Sequence, residues 1–128
     1  MSKLIKSFEG FTIWSGDYLN LAKWYQETFE LKKINEINLP NDKAIAFEIT
    51  AGSEMMLWIG SHSEVSGKSK DPYRQMISYW VEDVYTLSNI LKNKNVEIIN
   101  GPDKSPDGEL NFLTARDPEL NLIQMFSK

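Results

Sequence analysis

The chain contains no cysteine, which excludes disulfides, thiolate metal centres and cysteine nucleophiles. It has a single histidine, His62, so no metal or catalytic site within one chain can use two imidazoles. No apolar run approaches the roughly 20 residues that a membrane-spanning helix needs. The opening stretch "MSKLIKSFEGF" carries lysines but lacks the apolar core of a secretory signal. A cytoplasmic location is therefore the expectation. Excess charge is also scarce, since 14 basic against 18 acidic residues leave a net charge of −4. The lysines are scattered and line no face with interleaved aromatics, which argues against a nucleic-acid partner. What remains is ordinary for a globular domain: 128 residues, 41% hydrophobic and 25% charged. That length suffices for one domain with its own core.

Two segments have helical periodicity. In "DYLNLAKWYQETFE" (17–30), Tyr18, Leu21, Ala22, Tyr25 and Phe29 form one stripe behind Asp17 as N-cap. In "DVYTLSNILKNK" (83–94), Val84, Leu87 and Leu91 do the same behind Asp83. Alternating, strand-like runs precede both helices, "GFTIWSG" and "MISYWVE". Turn-punctuated strands are expected behind them at 32–38, 43–50 and 54–60, and again at 96–99, 109–115 and 120–127. The spacing thus predicts strand, helix and three strands, twice over. Module one covers about residues 8–60 and module two about 75–127, joined by a Ser-, Gly- and Lys-rich linker at 61–74.

The halves keep a common register. Asp83 follows Asp17 by 83 − 17 = 66 positions. The same offset relates Trp80 to Trp14, Ile77 to Phe11, Leu87 to Leu21 and Ile123 to Leu57. A duplicated βαβββ unit is the simplest explanation.

Near the end stands "ARDPELNLIQMFSK" (115–128), a turn signal leading into an apolar strand interrupted by Gln124. A tandem βαβββ chain with the aspartate-capped "AKWYQETFEL" helix and this "RDPELNLIQM" ending resembles the vicinal oxygen chelate superfamily. That group holds glyoxalase I, extradiol dioxygenases, fosfomycin-resistance enzymes and bleomycin-resistance binding proteins. The resemblance covers about residues 8 to 127. It implies an α+β fold in which tandem βαβββ modules form an open, curled mixed-sheet barrel with the ligand inside. It also implies a homodimer.

Metal-dependent members of that family take four ligands, usually His and Glu, from the first and last strands of each module. Carried over one at a time, those positions fall on Gly10, Trp58, Met76 and Gln124. Glycine offers no donor, indole offers no lone pair, a thioether is soft and one neutral amide cannot hold an ion alone. The expectation is that the family metal site is missing and that no cofactor replaces it. Shifting either first strand by one residue brings in Glu9 or Phe11, or Gln75 or Ile77, and no histidine.

Alternation along the strands then places Thr12 and Trp14 on the face of Gly10, and Ser78 and Trp80 on that of Met76. Met56, Leu122 and Phe126 join Trp58 and Gln124. Phe11, Ile13, Leu57, Ile77, Tyr79 and Ile123 pack under the helices. The candidate ligand-binding set is Trp14, Trp58, Trp80, Gln124, Thr12, Ser78, Met76 and Glu48. Two readings of the Trp and Met residues stand, ligand lining and plain core filling. Gln124 either orients a ligand or bonds a neighbouring strand or Ser78. Glu48 interrupts the apolar "AIAFEIT"; a solvent-facing or edge position is favoured over an inward one that would bind a cation or act as a base. Asp17 and Asp83 are explained by capping. His62 is expected in a solvated loop. In the Asp-Pro turn, Leu120 replaces a glycine of the family pattern, and Asn121 is expected to take the left-handed conformation instead.

Three functions follow. The first is a metal-independent protein that sequesters a small aromatic or cationic compound, as bleomycin-resistance proteins do. The second is a lyase- or isomerase-type enzyme using unconventional residues such as Glu48, His62 or Tyr79. The third is a regulatory or structural dimer whose barrel is filled.

Overall fold

The structure, a computed structural model, describes residues 2–128. Its elements are β1 (Gly10–Ser15), α1 (Tyr18–Phe29), β2 (Lys32–Leu39), β3 (Asp42–Glu48) and β4 (Met56–Ser61), followed by a 3-10 turn at Pro72–Arg74. Then come β5 (Met76–Trp80), α2 (Val84–Asn93), β6 (Glu97–Lys104), β7 (Asn111–Arg116) and β8 (Leu122–Ser127). The chain forms two compact units, divided after Gly67. Each carries the βαβββ order that the sequence predicts. The class is α+β, with two separate four-stranded mixed sheets, neither of them closed into a barrel. Among the described residues, no helix is long and apolar enough to cross a membrane.

In the first unit the strand order is β1-β4-β3-β2. β1 runs parallel to β4, and the other pairs are antiparallel. Pro40 and Asn41 make the two-residue link between β2 and β3. Helix α1 buries Leu21, Ala22, Tyr25 and Thr28, and packs on β4, β1 and β3. Ile13, Phe47, Leu57 and Ile59 are buried in this unit. A side chain such as Leu57, removed completely from water, contributes about 2–3 kcal/mol.

The second unit repeats the plan as β5-β8-β7-β6, with β5 parallel to β8. Helix α2 buries Val84, Ser88 and Leu91 and packs chiefly on β6, β7 and β8. Ile77, Leu113, Ile123 and Met125 are buried.

Three local expectations are corrected. β6 does not stop at 99; it continues through "NGPDK" to Lys104, accommodating the turn-prone residues by register shifts between Ile98 and Asn100 and between Asn100 and Asp103. Asp17 occupies the N-cap position of α1 but makes no side-chain bond to the helix backbone; its Oδ2 accepts from Asn20 Nδ2 at 3.1 Å. Leu120 itself adopts the left-handed conformation, at φ 71°. Asn121 is instead occupied in clasping Asp117, donating its backbone N–H to Oδ1 at 3.0 Å and its Nδ2 to Oδ2 at 2.8 Å. Asp117 is buried and also accepts from the N–H of Glu119 at 2.8 Å. Hydrogen bonds to a charged acceptor contribute about 1.5–3 kcal/mol each, enough to hold a leucine where it loses about 1–2 kcal/mol.

Candidate functional site

Each sheet has a helix-facing side and a helix-free side, and strand register places the candidate residues on the helix-free sides. In the first module three rungs run across β1, β4 and β3. They are Gly10–Met56–Glu48, Thr12–Trp58–Ala46 and Trp14–Gly60–Ala44. The small residues of the third rung make room for an indole. A methyl group added to Gly60 would lie 2.7 Å from the Trp14 ring and 3.3 Å from the Ala44 Cβ. Trp14 therefore lies against Gly60 and still exposes 46% of its surface. The indole N–H of Trp58 donates to Glu9 Oε1 at 2.9 Å, which fixes the ring. Glu48 shares the face of Met56, but its Oε1 accepts from the N–H of Gly52 at 2.7 Å and so braces the turn after β3.

The second module has the rungs Met76–Leu122–Arg116, Ser78–Gln124–Thr114 and Trp80–Phe126–Phe112. Where Trp14 has glycine and alanine, Trp80 shares its rung with two phenylalanines. Its ring meets Phe126 at 6.0 Å and 50°, and 64% of its surface is exposed. Lys128 Nζ lies 5.9 Å from the Trp80 ring centre. Met76 is exposed and Gln124 half-buried. Neither Gln124 nor Ser78 makes a side-chain hydrogen bond to another described residue.

The four positions carried over from metal-dependent members do not fit an ion. Gly10 stands at φ 152°, and a Cβ there would come within 1.9 Å of the Met56 carbonyl oxygen. No side chain of any kind can stand there without moving β4. Trp58 presents a donor already engaged by Glu9. Met76 and Gln124 supply one soft sulfur and one neutral oxygen. Among the described residues, no three His, Cys, Asp or Glu side chains are gathered as a divalent ion requires.

Of the other residues singled out, Tyr79 pairs with Met125 on the helix-facing side, and burial pushes its phenol well above the usual range. It stays protonated at any physiological pH. Asp83 caps α2 as expected, accepting from the Tyr85 N–H and the Thr86 hydroxyl, both at 2.9 Å. His62 is exposed and lies in a loop, yet it packs edge-on against Trp14 at 5.5 Å. Its Nδ1 accepts from the Glu64 N–H at 3.1 Å, which leaves the proton of the neutral ring on Nε2. Arg116 was not anticipated on the helix-free face, and Glu9 was considered only as a one-residue slip of the first strand, not as the partner of Trp58. Counting back from the Asp117–Asn121 clasp along β7 would have placed Arg116 opposite Leu122, on the face of Gln124.

This fold recurs in solved structures. A glyoxalase family protein from Enterococcus faecalis superimposes with TM-score 0.76 at 14% identity, covering 96% of this chain and 98% of that one. A glyoxylase/bleomycin resistance protein/dioxygenase domain from Frankia sp. EAN1pec gives 0.78 at 14% identity, over 96% and 92%. The fosfomycin resistance protein FosX from Listeria monocytogenes, complexed with Mn(II) and sulfate, gives 0.73 at 14%, over 97% and 93%. At such identities the likeness concerns the fold. No curated protein sequence matches the chain. The family model for the Glyoxalase/Bleomycin resistance protein/Dioxygenase superfamily matches residues 7–125, and the chain belongs to that superfamily.

Proposed function

We propose that this protein is a metal-independent small-molecule-binding member of its superfamily, which sequesters a compound with a flat aromatic part. The observation that carries this reading is the state of the four metal positions. One has no room for a side chain, one is an indole tied to Glu9, and the others are Met76 and Gln124. Around them, solvent-accessible aromatic surface stands on both helix-free faces, Trp14 in one module and Trp80 in the other. Indole faces bind flat rings by stacking, and an uncommitted amide and hydroxyl such as those of Gln124 and Ser78 give orientation. Thr12 and Met76 complete the ligand-lining set, whereas the carboxylate of Glu48 is committed to its turn. An enzymatic reading would need a proton-transfer pair; of the three residues named for it, Glu48 is committed to its turn and Tyr79 is buried and stays protonated, which leaves His62 alone. Pairing of two chains belongs to the same reading, with a solution mass twice the 14.8 kDa of one chain.

The test is a titration of tryptophan emission with a panel of aromatic compounds, using protein dialysed against a chelator. Saturable quenching, unchanged when Zn, Mn, Ni or Fe is restored, is the expected result. A stoichiometric transition metal that survives dialysis, or binding that appears only after metal is restored, would sink the reading.

A further inference from the structure

We propose that the guanidinium of Arg116 receives an anionic group of the ligand, a carboxylate, phosphonate or phosphate, on the helix-free face of the second module. The ligand's flat part stacks beside Trp80 and Phe126. The inference rests on the reading above, that this face binds an aromatic small molecule, and adds the charge that the compound must carry.

Arg116 closes β7 opposite Leu122, one diagonal step from Gln124. Its side chain is 22% exposed, low for an arginine. Of its five N–H donors, only one finds an acceptor among the described residues, Nη2 on the Tyr73 hydroxyl at 2.9 Å. Nε is buried without a partner. Glu97 Oε1 stands 3.7 Å from Nη1, too far for a hydrogen bond, and its side chain is 59% exposed. A solvated carboxylate at that distance compensates a half-buried cation poorly. The Tyr73 ring lies 5.8 Å from the guanidinium carbon. Ring and hydroxyl together orient the fork before any ligand arrives, which lowers the ordering cost of a bidentate contact.

The surroundings favour an anion over a cation. Lys128 lies over Trp80, so a cationic ring stacking there would meet a like charge. The acidic side chains of this sheet face, Glu97 and Asp103, are confined to the outer strand β6 and exposed. Gln124 and Ser78, adjacent on neighbouring strands, offer donors to the same anion. The first module carries Glu48 at the matching rung, so the receptor belongs to the second module alone.

The experiment compares three probes of one shape by calorimetry: 2-naphthoate, 2-naphthamide and 2-naphthylmethylammonium. Naphthoate is expected to bind about tenfold tighter than the amide, with the ammonium weakest. Arg116→Gln should remove that preference while leaving amide affinity within about twofold. Glu97→Gln, which frees the guanidinium of its distant carboxylate, should tighten naphthoate binding, and it decides the matter if Arg116→Gln fails to fold. Equal affinity for acid and amide, a preference that persists in Arg116→Gln, or weakened naphthoate binding in Glu97→Gln overturns the proposal and leaves the aromatic-binding reading standing. No binding of any of the three probes overturns both.

Discussion

The two modules share a plan, and on the helix-free face they repeat Trp14 as Trp80 and Thr12 as Ser78 but differ in the groups around them. The first ends its third strand with Glu48 and the second with Arg116. One tryptophan lies against glycine and alanine, and the other stands against phenylalanine. The position of a first-strand metal ligand is sterically closed in one module and open in the other, as Gly10 and Met76 show. The helix-facing side changes its residues too, Phe11 to Ile77 and Ile13 to Tyr79, but keeps to large hydrophobic and aromatic side chains.

The sharpest test of that contrast pairs Gly10→His with Met76→His. The first drives a Cβ into the Met56 carbonyl and should lower stability by about 3–5 kcal/mol. The second alters an exposed side chain and should stay within about 0.5 kcal/mol. Denaturant unfolding followed by near-ultraviolet circular dichroism measures both. Comparable losses would mean that the two first strands are not equivalent places at all.

The turns before the last strands differ next. Asp117 is buried and accepts at least three bonds, from Glu119 and twice from Asn121, whereas Glu48 of the other module accepts from Gly52. Asp117→Ala should cost about 2–4 kcal/mol and Glu48→Gln about 1 kcal/mol or less, read from the same unfolding curves. A third comparison concerns the helices. Ser88 of α2 buries a hydroxyl without a partner among the described residues where α1 has Ala22, 66 positions earlier (88 − 66 = 22). Ser88→Ala should raise stability by about 1 kcal/mol, because the orphan hydroxyl is removed and no cavity follows. A fall would show that the oxygen has a role that Ala22 does not need.

The smallest effect separates the caps. The bonds from Tyr85 and Thr86 hold the Asp83 carboxyl below its usual range. A depressed folded-state value stabilises above the unfolded one, and that stability is lost as pH falls through the folded value. The melting-temperature gap between the parent protein and Asp83→Ala should thus be present at neutral pH and close below about pH 3.8, the unfolded value. Asp17→Ala, which loses only a bond to Asn20, should open a smaller gap at neutral pH.

Much of this was legible in the residues. The period of the apolar stripes and the 66-residue offset fixed element order, and strand alternation assigned Trp14, Trp58, Trp80 and Gln124 to helix-free faces. Failures came where one residue overrides a local preference. Leu120 looked too strained for a left-handed turn because the compensation comes from Asp117, whose burial cannot be read from sequence. β6 looked finished at a Gly-Pro pair, yet bulges carry the pairing through it. Arg116 escaped notice because its face depends on how β7 pairs with β8. Motif counting likewise describes Gly10 as a lost ligand, while the register reveals a close approach of two backbones.

That closeness couples two distant stretches of the chain. Any side chain at residue 10 calls for a second, compensating change that draws β4 away from β1, so the two strands can vary at this point only together.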